Sequence, residues 1–242
     1  MKSWKTAFQL NKWEIKKSAI NIMLAYLVTI MFTLFFIKEF SSYIENGTIL
    51  FDLIFLLVFT SSPLFPKPKN FEVQQLQNGL FASPIVYLQK QLPIRDEVII
   101  TSRLIMHILY TFPIQLVALI LIYLSTSLTN LLSIGSFISF CMIWLSISIG
   151  IGYVIPKFNI GAGGFAVTNP GSLIVIPLFT LLTFGILTLI HAFSGHGIVY
   201  WSIIFANDFP LLSAGISIIV AVIGYHTWIR AMRIALKTLR YG

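Results

Sequence analysis

The chain has 242 residues, 57% of them hydrophobic and only 10% charged, with a mean hydropathy of +0.89. A soluble domain carries roughly 25% charged residues, so this composition argues against a water-soluble protein and leaves lipid as the solvent for most of the surface. The net charge of +8 does not point to nucleic acid, because the basic residues sit at the ends of apolar runs, where they orient helices in a bilayer.

In chain order, residues 1–18 predict an amphipathic helix lying on the inner membrane face. Trp4, Phe8 and Ile15 share one stripe and Lys5, Lys12 and Lys16 lie beside it, while Trp13 points elsewhere. Trp4, Phe8 and Trp13 are the expected interfacial anchors. The first apolar run is longer than a signal-peptide core and no small-residue cleavage site follows it, so no cleavable signal is expected. Six segments then approach the ~20 apolar residues that a crossing needs: 19–37, 49–65, 104–124, 131–155, 172–190 and 211–229. Asp52 enters the second, and Pro63 and Pro66 close it. Lipid leaves helix as the solution for each, because an open strand edge would strand its amides in hydrocarbon. All but one of the 16 basic residues fall in connections that six crossings place on one side, with only Lys38 on the other. The expectation is a multi-pass cell-membrane protein with both termini cytoplasmic.

The longest connection, 66–98, is cytoplasmic on that reading. Phe71, Val73, Leu76 and Leu80 recur at roughly helical spacing and predict a helix ending near Gly79. Pro93 with Asp96 and Glu97 predicts a second helix start running into the third span, since proline suits the first turn and acidic residues its positive end. Leu92 and Ile94 would then be exposed beside Arg95, Asp96 and Glu97, the make-up of a small docking surface. A solvated turn before a span is the plainer alternative. The connection 191–210 is apolar without any Lys or Arg, too short to cross and too apolar for water. It predicts a re-entrant or interfacial hairpin, with Tyr200 and Trp201 at headgroup level and Phe205 in the same segment. Asn207 and Asp208 are expected to cap the last span, with Pro210 in its first turn.

The chain offers little chemistry. A membrane serine protease of the rhomboid type needs a G-x-S-G nucleophile, but Ser146 stands where the first glycine would be before Ser148. His226 is then a lone histidine, read as capping or packing. Gly161-Ala162-Gly163-Gly164 lacks the following Lys-Ser or Lys-Thr of a phosphate-binding loop. Arg103, one turn from His107, is explained by snorkelling. Asp52 is explained by capping or interfacial solvation, so no proton-coupling carboxylate is read near the midplane. The lone Cys141 allows neither an internal disulfide nor a paired-cysteine metal site.

The arrangement resembles the permease subunit of ATP-binding cassette transporters of the ABC-2 exporter class. The likeness covers nearly the whole chain as architecture. Its one sequence-level match is Leu92-Pro93-Ile94-Arg95-Asp96-Glu97-Val98-Ile99-Ile100-Thr101-Ser102-Arg103, similar to the family's coupling-helix segment. The glycine-rich fourth connection departs from the family pattern. Small Gram-positive exporters of amphipathic, phenol-soluble modulin-like peptides are similar within the class. The resemblance implies a dimer of two permease copies and a coupling helix at 93–98 docked on a separate ATPase. That partner would hold the ATP and Mg, and this chain no cofactor and no catalytic residue of its own. A path lined by apolar and hydroxyl side chains suits a hydrophobic peptide, lipid or drug. A six-span substrate-binding subunit of a vitamin uptake system and an intramembrane hydrolase are the alternatives.

Overall fold

The structure, a computed structural model, describes residues 2–61, 71, 73–75, 81–152, 157, 160–161 and 169–238. Helices α1 (Lys2–Asn46) and α2 (Ile49–Ser61) are followed by a two-stranded hairpin, β1 (Gln74–Gln75) and β2 (Phe81–Ala82). Then come α3 (Pro84–Gln91), α4 (Asp96–Ser125), the single turn α5 (Leu128–Leu131) and α6 (Ile134–Gly152). The last three described helices are α7 (Asn169–Ser194), α8 (Ile198–Asp208) and α9 (Pro210–Thr238). Five of these, α1, α4, α6, α7 and α9, are long and apolar enough to cross a membrane. The fold is all-α and membrane-embedded apart from the hairpin. The 13 residues of α2 rise about 20 Å, short of a ~30 Å hydrocarbon core. Pro63 and Pro66, expected to close that span, lie outside the described residues.

Helix α1 runs for 45 residues without a break, about 67 Å at 1.5 Å per residue. No elbow separates residues 1–18 from the first expected span. Glycine ends it: Gly47 takes φ +62° and donates its N–H to the Tyr43 carbonyl at 2.8 Å, a left-handed cap. Gly195 ends α7 in the same way, with φ +76° and its N–H on the His191 carbonyl.

The helices pack as two pairs that each run in one direction. Along α1 and α4, Asn11 donates to the Ser102 carbonyl and, further on, the Tyr26 hydroxyl donates to the Leu109 carbonyl. Along α6 and α9, Ser139 donates to the Pro210 carbonyl, and Gly150 meets Gly224 near the other end. Gly224 is the reason α6 and α9 lie so close: a Cβ there would stand 2.9 Å from the Gly150 Cα. Ser146 of α6, one turn before Gly150, and Ser213 and Ser217 of α9 are buried small residues on the same two helices. Between the pairs lies an aromatic core. Phe51, Phe55 and Phe59 recur every fourth residue on α2, stacked on one another, with Phe36 of α1 on one side and Trp144 of α6 on the other.

Two backbone carbonyls lack a helical donor, one at a proline and one at a helix end, and a neighbouring helix supplies a donor each time. Pro113, inside α4, has no N–H for the Leu109 carbonyl four residues earlier. The Tyr26 hydroxyl of α1 fills that place at 2.9 Å. In the last turn of α2, where a helix leaves its carbonyls without intrahelical donors, the Phe59 carbonyl accepts from Gln115 Nε2 of α4 at 2.8 Å.

Three local expectations are corrected. Gln74 and Gln75 pair antiparallel with Ala82 and Phe81 and are not helical. Asn78-Gly79 between them was the available hairpin signal; residues 76–80 lie outside the described set. The helix expected from Pro93 begins at Asp96, with Arg95 in extended backbone as its N-cap. Asn207 and Asp208 close α8 and do not cap α9, whose first residue is Pro210 as expected.

Two pairs of variants test this packing. Gly224→Ala should lower the thermal unfolding midpoint in detergent, an overpacking cost of about 1–3 kcal/mol. Gly150→Ala should be near neutral, because its Cβ would meet only Val220 Cγ1, at an ordinary 3.7 Å. Tyr26→Phe should destabilise by about 1–2 kcal/mol by orphaning the Leu109 carbonyl. That loss should shrink in the Tyr26→Phe, Pro113→Ala double variant, where residue 113 regains its N–H.

Candidate functional site

The step between α3 and α4 presents apolar and charged side chains together at the basic end. Pro84 opens α3 in its first turn. After Gln91 the chain turns through 92–95, with the Ile94 N–H on the Leu92 carbonyl at 2.7 Å. Lys90 forms an ion pair with Asp96, which ties the end of α3 to the start of α4. Asp96 and Glu97 occupy the first turn of α4, where the helix dipole favours them. Leu92, Pro93, Arg95 and Glu97 are exposed, and so are Tyr87 and Leu88 on α3. Ile94 differs from expectation: it is half-buried and packs against two core clusters, one with Ala7, Val98 and Ile105, the other with Ile99, Ile100, Trp228 and Met232. The step is thereby rooted in α1, α4 and α9 together.

Trp4, Phe8 and Trp13 are exposed to about half their area, at 48%, 54% and 49%. Trp13 also meets Phe71 edge to face at 5.4 Å. The face of α1 that packs is a different one and is largely polar. Ala7, Asn11, Glu14 and Ser18 are buried in helical register against α4. Its centre is a bidentate ion pair from Arg103 to Glu14, Nη2 to Oε2 at 2.6 Å and Nη1 to Oε1 at 3.1 Å. Arg103 does not snorkel; its side chain is 5% exposed, as is that of Glu14. In lipid the polar face of such a helix can turn inward.

Arg103 heads a buried stripe on α4 with His107, Thr111 and Gln115, each four residues on. His107 lies between Gly152 of α6, whose Cβ would come within 3.0 Å of it, and Trp228 of α9, at a ring distance of 4.8 Å. The arginine–histidine spacing was visible in the sequence, but the closure by α6 and α9 was not. His226, by contrast, is exposed on α9.

At the opposite end, 198–208 is a helix whose Val199, Ile203 and Ala206 enter the aromatic core. Tyr200 is half-buried and stacks on His196 at 4.0 Å, and Trp201 is 43% exposed. Trp201 and Phe205 line a groove of about 510 Å³ with Ile143 of α6 and Ile190 and Ser194 of α7. Asp52, one turn into α2, is buried at 1% exposure and accepts from the Tyr43 hydroxyl and the Val199 N–H. Expected as a cap, it caps a helix other than its own. Among the described residues no group of three or more His, Cys, Asp or Glu side chains could hold a metal ion. Gly161 is buried, and residues 162–164 of the glycine run lie outside the described set.

No family model, no curated protein and no solved structure matches this chain.

The ion pair makes a quantitative prediction. Glu14→Ala leaves a buried guanidinium unpaired and should cost about 3–5 kcal/mol of stability. The charge-swapped Glu14→Arg, Arg103→Glu double variant should recover part of that loss in a thermal unfolding assay in detergent.

Proposed function

We propose that this chain is the transmembrane permease subunit of an ATP-driven exporter of the ABC-2 class. On this reading it crosses the cell membrane six times with both ends in the cytoplasm. It acts with a separate ATPase subunit and a second permease copy, and moves a hydrophobic or amphipathic cargo such as a peptide, lipid or drug. It is a transport subunit and binds no ATP or Mg itself. Three features of charge and direction support the orientation. Helices α1 and α4 start, and α6 and α9 finish, at the end that carries Lys5, Lys12, Arg95, Arg230 and Arg233, while Lys38 stands near the far end of α1.

The observation that carries the reading is the α3–α4 step. It presents Tyr87, Leu88, Leu92 and Pro93 beside Arg95 and Glu97, an apolar patch framed by charge, as protein interfaces require. Ile94 links it to both core clusters at that end. A displacement of the step by a motor would therefore reach α1, α4 and α9 without passing through a flexible joint. The docking element on this reading is α3 and the 92–97 turn, instead of a helix at 93–98. The cargo class rests on composition: spans of hydroxyl and apolar side chains offer few partners to a strongly charged solute.

ATP hydrolysis that co-purifies with the tagged chain from its native membranes should fall about tenfold in an Arg95→Glu, Glu97→Lys variant, the scale of one lost hot-spot contact. Helical circular dichroism and elution volume should stay unchanged. ATPase activity retained in full by that variant would remove the docking step from the proposal.

A further inference from the structure

Four helix ends converge on Asp52. Helix α1 finishes at Asn46, α2 begins at Ile49, α7 finishes at Ser194 and α8 begins at Ile198. A helix start leaves its first N–H groups without intrahelical partners, and α8 has no side-chain cap of its own, because its N-cap residue is Gly197. Two side chains from other helices supply what it lacks. Asp52 Oδ1 accepts the Val199 N–H at 2.8 Å, and the Tyr43 hydroxyl oxygen accepts the Tyr200 N–H at 2.9 Å. Tyr43 in turn donates its hydroxyl hydrogen to Asp52 Oδ1 at 2.8 Å, so the two acceptors are coupled.

The fit depends on glycine at two points. A Cβ on Gly197 would fall 1.6 Å from Asp52 Oδ2, so only a residue without one lets the carboxylate reach the start of α8. A Cβ on Gly47 would fall 2.7 Å from His191 Cε1, which brings the end of α1 onto the end of α7. The rest of α7 is almost free of the bundle: in its most apolar window only 6% is buried, although Leu187 near its outer end is buried at 4% exposure. The carboxylate is also placed favourably, at the positive ends of both α2 and α8.

We propose that Asp52 and Tyr43 form a clamp that fastens the start of α8 to α1 and α2, and that releasing this clamp frees 197–202 while the rest of the helix bundle stays packed. The clamp makes α8 follow α2, and α8 forms one wall of the groove with Ile143 and Ser194. The inference stands on these contacts and does not require the export reading.

Hydrogen–deuterium exchange of the full chain in lipid nanodiscs tests it. Asp52→Leu should speed exchange in the peptide covering 197–208 about tenfold or more, the loss expected when a charged acceptor is removed, with α4, α6 and α9 unchanged. Tyr43→Phe, which leaves the carboxylate in place, should give a smaller rise confined to the same peptide. Asp52→Asn keeps an acceptor oxygen and should restore most of the protection. In a Cys141→Ala background, a thiol at Ser202→Cys, on the same groove wall, should react faster with a soluble maleimide when Asp52→Leu is added. Unchanged exchange at 197–208 in both Asp52→Leu and Tyr43→Phe would overturn the clamp. So would a rise spread over all helices, which would make the contact part of the global core.

Discussion

In hydrocarbon a backbone N–H or C=O that loses its helical partner has no water to turn to, and this constraint organises the bundle. The chain breaks its helices at several points, and a side chain from another helix answers at three of them. Tyr26 serves the carbonyl freed by Pro113, Gln115 serves the Phe59 carbonyl in the last turn of α2, and Asp52 with Tyr43 serves the start of α8. Each repair fixes a register between two helices, because the donor or acceptor must arrive within about 3 Å. α1 is thereby joined to α4, α4 to α2, and α1 and α2 to α8. Apolar packing fills the space between them but has no comparable directional demand.

Two kinds of helix contact use this frame differently. Towards the basic end α1 and α4 meet through polar groups, with Glu14, Arg103, Asn11 and Ser102 buried between them. α6 and α9 meet through absent side chains, at Gly150 and Gly224. The first contact resists sliding, since an ion pair displaced by one turn would leave two charges bare. The second permits close approach with little directional preference. The α3–α4 step lies where both pairs end, and Ile94 touches the clusters of each. That placement gives the proposed motor contact a route into both halves of the molecule, while the clamp at Asp52 offers a route to the far end.

The readings that failed, or stopped short, did so for different physical reasons. In residues 1–18 the aromatics are half exposed and the packed face is the polar one, a contact the sequence reading did not address. Water sorts apolar side chains inward, whereas lipid does not, so an amphipathic pattern in this chain does not say which face is covered. Arg103 was read as a snorkelling side chain because its partner lies 89 residues away in Glu14. Gln74 and Gln75 were absorbed into a helical spacing although Asn78-Gly79 stood close by. The helix start at Pro93 was misplaced by three residues, since the extended backbone at Arg95 interrupts it.

The sequence alone determined that the chain is helical, lives in lipid and gathers its positive charge at one end, because these depend on composition and on run length. It also marked Asp52 and the 92–97 step as unusual positions, since a carboxylate within an apolar run and a proline beside charges stand out one residue at a time. Which groups answer them was decided only by the tertiary structure. Tyr26, Gln115, Glu14 and the Val199 N–H are ordinary in their own segments, and they become partners because two helices distant in sequence are brought to one depth and one rotation. No local pattern encodes that relation, since hydrogen-bond geometry is set by both backbones at once.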